Sequence, residues 1–181
     1  GDHRVRRPRC CEGAGAVLLE EYEHAKSRGA RILGEIIGFS CNNNGGDLIL
    51  PNIQGITKTI ALALEVAAIG PGQVDFISAH ATATKMGDVI EAQAIGSLYG
   101  EGPVVTGLKS YMGHTMGSCG AIEAIITLYM MEAGFIPPTL NLDEVDERCA
   151  MIRHAVQLVE QPIRIAAVQN FAFGGVNTCL I

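Results

Sequence analysis

Apolar and polar positions along this chain fall into blocks that switch period. Residues 15–21, GAVLLEE, read as an apolar strand or the start of a helix, and EEYEHAKSRGA follows with helical spacing that stops at Gly29. RILGEIIGFSC (31–41) alternates as a strand. NNNGGDLILPNIQG (42–55) is a loop broken by Gly45, Gly46 and Pro51, and ITKTIALALEVAAI (56–69) is a buried helix closed by GPG. VDFISAH (74–80) is a short apolar strand. GDVIEAQAIGSLYG (87–100) is a helix, PVVTGLKS (103–110) a strand running into a polar turn, and GSCGAIEAIITLYMMEAG (117–134) a long apolar helix. FIPPTLNL (135–142) is an extended connector and DEVDERCA (143–150) a polar, exposed stretch. IRIAAVQNF and VNTCLI are two strands separated by AFGG.

Strands and helices in alternation predict an α/β fold, a sheet with helices on its faces. Composition sharpens this. Apolar residues make up 48% and charged residues 18%, so most elements should be covered on both sides. Thirteen basic against nineteen acidic residues leave a net charge of -6, which argues against a nucleic-acid binder. The apolar runs are too short to span a bilayer, and GDHRVRRPRCC has no apolar stretch after its basic residues, so no membrane span or leader is expected. The six Cys (10, 11, 41, 119, 149, 179) form no Cys-x-x-Cys pair, and reduced thiols in a cytoplasmic protein are expected. No metal site is expected.

Polar residues gather where strands end. His80 follows DFISA, Lys109 follows VVTGL and Asn170 follows IAAVQ. In open α/β sheets ligands sit at the carboxyl ends of strands, so these loops can converge on one pocket. Each has an ordinary reading as well. In HATATKMGD, an extended backbone would put His80, Thr82 and Thr84 on one face, but Thr84 or Asp88 could simply cap the next helix. In LKSYMGHTMG, His114 precedes a helix whose positive end favours neutral imidazole, and Lys109 either pairs with Glu123 or is a solvated lysine. In NFAFGGVN, Gly174 and Gly175 either expose backbone N–H groups as an oxyanion hole or form a plain hairpin turn.

Taken together, DFISAHATATKMGD, GLKSYMGHTMGSCGAIEA and NFAFGGVN resemble the C-terminal signature blocks of the β-ketoacyl-acyl-carrier-protein synthases, elongating condensing enzymes of the thiolase fold. EGAGAVLLEEYEHAKSRGARILGEIIGF and PPTLNLDEVDERC extend the likeness over nearly the whole chain from Glu12. The resemblance implies the C-terminal half of a thiolase-like fold, a mixed sheet covered by helices on both faces. Residues 1–30 would end the N-terminal half (1–11 a divergent tail) and 31–181 would form the C-terminal half. The implied reaction is a decarboxylative Claisen condensation of an acyl thioester with malonyl carrier protein, in fatty acid or polyketide synthesis.

By the same resemblance His80 and His114 bind the malonyl thioester oxygen, Lys109 organises the site with Glu123, and Asp88 supports the first histidine. Thr82 and Thr84 meet the phosphopantetheine arm, which arrives on the carrier-protein substrate rather than as a cofactor. Phe173 with Gly174 forms the gate and oxyanion hole. The partners implied are acyl carrier protein and a second copy in a homodimer. The resemblance places the nucleophilic Cys in an N-terminal half, outside this chain. Cys119 stands where the family usually has a small residue, and Ala81 where it usually has Gly, a strain if that backbone needs positive φ. The alternatives are a non-catalytic chain-length-type partner subunit and an inactive half-domain. The basic run Arg4, Arg6, Arg7 and Arg9 reads as a solvated tail, with carrier docking as its other reading.

Overall fold

The computed structural model describes residues 10–181. The basic run and most of the expected divergent tail therefore lie outside the described residues. Helix α1 (Tyr22–Ser27) opens on Glu21, whose carboxylate accepts the N–H groups of Glu23 and His24. Strand β1 (Phe39–Asn43) leads to helix α2 (Ile53–Val66), capped by Asn52 accepting from Gly55 N–H at 2.9 Å. That cap starts the helix earlier than the expected residue 56. Gly55 lets the Asn44 side chain approach closely: a Cβ there would stand 2.6 Å from Asn44 Oδ1 and push it aside. Strand β2 (Phe76–Ser78), helix α3 (Gly87–Tyr99) and strand β3 (Val104–Thr106) follow. A short helical turn α4 (Lys109–Met112) then leads to the long helix α5 (Cys119–Ala133). Lys109 therefore opens a helical turn rather than ending a strand.

Strands β4 (Phe135–Ile136), β5 (Arg153–His154), β6 (Val159–Glu160), β7 (Ala166–Ala172) and β8 (Val176–Leu180) complete the chain. The main sheet has six strands in the order β1-β8-β7-β2-β3-β5; β4 and β6 pair separately. Strands β7, β2, β3 and β5 run parallel, while β8 is antiparallel to both β7 and β1. The sheet is mixed, as the resemblance implied. One face packs Ile77, Val105, Ala167 and Cys179 against Ile56, Ile60 and Leu64 of α2 and Val89, Ala92 and Ile95 of α3. The other packs Phe76 and Val104 against Met130 of α5, with Ile136 and Ile163. Helices cover both faces.

Some expectations fail. Residues 15–21 are neither strand nor helix, and strand β1 begins only at Phe39, not at 31. A strand needs a ladder partner for its N–H and C=O groups, and among the described residues no ladder reaches 15–21 or 31–36, while Ile37 and Gly38 meet only Ile181. Their apolar side chains stand in solvent: Leu18 is 84% exposed, and Leu19, Leu33 and Ile36 are exposed too. The extended connector after α5 begins as a short strand, in which Phe135 and Ile136 pair with β6. The stretch 143–150 is exposed in the main, but Cys149 is buried. No described helix is long and apolar enough to cross a membrane.

Candidate active site

The carboxyl ends of β2 and β7 and the turn after β3 bring His80, Asn170 and Lys109 to one end of the sheet, as their positions after apolar strands predicted. Lys109 Nζ lies 2.5 Å from Glu123 Oε1 on α5. Lys109 is 7% exposed and Glu123 0%, so the pairing reading holds and the solvated one does not. The second carboxylate oxygen, Oε2, accepts from Asn170 Nδ2 at 2.9 Å. Asn170 Oδ1 in turn faces His80 Nδ1 at 3.3 Å. Lysine, glutamate, asparagine and histidine thus form one hydrogen-bonded chain from α4 to the end of β2.

His114 enters from the α4–α5 turn, its ring 5.5 Å from that of His80 and nearly perpendicular to it at 89°. Met116 N–H donates to His114 Nδ1 at 3.1 Å, and Met116 takes a φ of 54° to make this turn. Positive φ at a non-glycine residue beside a polar cluster is a common mark of a functional site. Cys119 Sγ is 3.2 Å from the same ring nitrogen and 3.3 Å from Thr115 Oγ1, and is 1% exposed. The adjoining segment is tied to this turn, with Cys11 N–H bonded to the His114 carbonyl at 2.9 Å.

Both imidazoles are held neutral. Burial, reinforced by the Lys109 charge and by His114 and opposed by the Asn170 bond, pushes His80 down to about 3. Burial and then Lys109 lower His114. Desolvation and the lysine, rather than the helix end expected from the sequence, keep the rings neutral. Glu123 is pushed up by burial against the pull of Lys109 and Asn170.

The loop after His80 is not extended. Ala81 and Ala83 have φ of 36° and 60°, so the strain foreseen at Ala81 is present and is repeated at Ala83. The kinked loop still brings Thr82 and Thr84 together, their hydroxyls 3.3 Å apart. Neither caps α3, which begins after Met86 without a side-chain cap. Asp88 lies in the first turn of α3. Burial raises its pKa, against the amides of Thr84, Ala83 and Thr82 and the charge of Lys109.

Glu91, unremarked in the sequence, is 4% exposed and accepts the N–H groups of His80 (2.7 Å) and Ala81 (2.8 Å). Burial, against those two bonds, pushes it up to about 7. Its signal was only a charged residue on the apolar helix that follows the His80 loop.

The turn between β7 and β8 is a hairpin, with φ of 79° at Gly174 and 76° at Gly175. Gly174 N–H donates to the Leu48 carbonyl at 2.9 Å, and the Gly174 carbonyl accepts from Asn43 Nδ2 at 3.0 Å. Gly174 is thereby engaged in holding the turn, and Phe173, 64% exposed, stands at its tip. Among the described residues no three His, Cys, Asp or Glu gather to hold a metal ion. The cluster offers two neutral imidazoles backed by a buried ion pair, an arrangement fit to bind and polarise a carbonyl oxygen.

Comparison with known proteins agrees in family. A profile described as "Beta-ketoacyl synthase, C-terminal domain" matches residues 33–143. The chain is 34% identical over 170 residues to 3-oxoacyl-[acyl-carrier-protein] synthase 1 of Escherichia coli (strain K12), covering 93% of this chain and 41% of that protein. A solved β-ketoacyl synthase from Burkholderia phymatum STM815 superposes with a TM-score of 0.84 at 44% identity, covering 89% of this chain and 40% of its own. A type II PKS ketosynthase, solved with its acyl-carrier protein and bound to the hexaketide, gives a TM-score of 0.83 at 32% identity, covering 89% of this chain and 41% of its own. The chain thus spans about two-fifths of the length of these relatives.

Proposed function

The chain belongs to the β-ketoacyl synthase family, and from that membership we propose that it is the malonyl-activating half of a condensing enzyme. Residues 31–181 form the C-terminal half-fold, and 12–30 close the half that precedes it. The observation that carries this reading is the pair of neutral imidazoles 5.5 Å apart, backed by the buried Lys109–Glu123 pair.

In the proposed reaction an acyl group waits on a Cys thiolate of the other half. Malonyl carrier protein loses CO2, and the carbanion attacks the acyl thioester carbonyl, expelling the thiolate. His80 and His114 form the malonyl site. His114 is suited to donating, because Met116 N–H occupies its Nδ1 and leaves the hydrogen on Nε2, to stabilise the enolate oxygen. Lys109 and Glu123 fix the site electrostatically, and Asp88 and Glu91 brace the loop that carries His80. Thr82 and Thr84 line the path of the phosphopantetheine arm. Phe173 gates the acyl side and its amide serves the oxyanion, while Gly174, its own N–H taken by Leu48, holds the turn beside it. The exposed apolar residues at 17–19, 32–36 and 48–50 form the face that the other half covers. Acyl carrier protein delivers both thioesters, no separate cofactor takes part, and the completed protein is a homodimer.

A chain-length-type partner subunit is the weaker reading, since His80, Lys109 and His114 are all in place. The test is to join this chain to the N-terminal portion of the Escherichia coli relative and supply acyl and malonyl carrier protein. A 3-oxoacyl product supports the reading, and a folded chimera that makes none contradicts it.

A further inference from the structure

Each of the two imidazoles has one ring nitrogen already committed to the protein, and the commitments are opposite. At His114 the Met116 N–H donates to Nδ1, so that nitrogen bears the lone pair and the hydrogen sits on Nε2. At His80 the partner of Nδ1 is Asn170, and Asn170 has no freedom of orientation. Its amide nitrogen donates to Glu123 Oε2, whose other oxygen holds Lys109. Only the Nδ2 end can donate to a carboxylate, so Oδ1 is the end turned to His80. An amide oxygen only accepts, so His80 Nδ1, 3.3 Å away, carries the hydrogen.

We propose that Asn170, anchored on Glu123, is a positioning residue that holds His80 as its Nδ1–H tautomer and leaves Nε2 as a bare lone pair, opposite in kind to the Nε2–H of His114. The pair then offers one donor and one acceptor instead of two donors. A thioester oxygen can be hydrogen-bonded by His114 alone, and His80 Nε2 accepts, from a water or a thiol brought against it. The other groups facing His80 agree with a neutral ring. Lys109 is a cation nearby, His114 stands edge-on, the Phe171 ring lies 5.8 Å away, and Glu91 takes only the backbone N–H of His80. The consequence for substrate rests on the reading of His80 as part of the malonyl site. The tautomer itself does not, and can be measured whether or not the chain condenses anything.

The experiment is a long-range 15N–1H NMR correlation of the histidine rings in the 181-residue chain near neutral pH. The expected result is a protonated Nδ1 with a bare Nε2 at His80, and the reverse at His114. Asn170→Ala should shift the His80 tautomer ratio toward Nε2–H by about fivefold, the worth of one lost hydrogen bond. A wild-type His80 that carries its hydrogen on Nε2 overturns the proposal without need of any variant. A ratio left unmoved by Asn170→Ala overturns the role of Asn170.

Discussion

Lys109 and Glu123 meet at 2.5 Å with both side chains shut away from water. The pair costs desolvation and regains it through charge and through the Asn170 bond to the second carboxylate oxygen. Lys109→Met alone should lower stability by about 3–5 kcal/mol, because it leaves a buried carboxylate without its cation. Lys109→Met with Glu123→Leu should cost clearly less than the two single changes added. Urea unfolding of the four species checks this, and simple additivity would mean that the pair is not coupled.

The loop that carries His80 is strained at two alanines. Ala83, exposed with φ of 60°, should gain about 1 kcal/mol when replaced by Gly. Ala81→Gly should gain less, because the Ala81 methyl also packs against the core. Thermal unfolding decides the matter, and a loss of stability for Ala83→Gly would contradict the strain.

Acid should act on the fold through His80. The folded state keeps this ring neutral down to about 3, whereas the unfolded chain takes up the proton below its ordinary value of 6.5. The unfolded state therefore binds more protons in that window. The contribution of His80 is present above 6.5 and is lost as pH falls toward 3, by on the order of 1 kcal/mol per pH unit. Glu91 runs the other way, since its raised pKa makes stability fall as pH rises from 4.5 to about 7. The comparison is wild type against His80→Gln, because Glu91 is common to both. Wild type should lose stability more steeply between pH 6 and 4.5, and parallel curves would refute the account.

The exposed apolar residues should drive association of the isolated chain. Leu18→Glu with Leu33→Glu should leave the unfolding free energy within about 0.5 kcal/mol of wild type. The same change should reduce concentration-dependent self-association seen by light scattering. Unfolding of the variant would show instead that these side chains are part of the core.

The elements that were legible in the sequence are those marked by local composition. Helices α3 and α5 are long apolar runs and the β7–β8 hairpin carries its own glycine turn, and the His80, Lys109 and His114 blocks stand at their ends. What escaped depends on partners distant in sequence. Strands β4, β5 and β6, each two residues long, exist only by tertiary pairing. Residues 15–21 and 31–38 have strand composition, but residues 15–21 and 31–36 lack a ladder, and only Ile37 and Gly38 touch one through Ile181. Glu91 reaches back eleven positions to brace His80, and Asn170 joins Glu123 across forty-seven, and neither link has a local pattern. The left-handed backbone at Ala81 and Ala83 contradicts the residues that adopt it, so no propensity argument leads there.

The most direct test of the central claim is malonyl carrier protein decarboxylation by this chain completed with the N-terminal portion of the Escherichia coli relative. His80→Ala, His114→Ala and the unchanged chain would be compared as folded proteins. The account predicts release of CO2 by the unchanged protein and a loss of about a hundredfold or more for each variant, the scale of removing a positioned donor (His114) or a positioned proton acceptor (His80) at the reacting atoms. Decarboxylation retained in both variants would contradict it and would move the chemistry away from this pair of histidines.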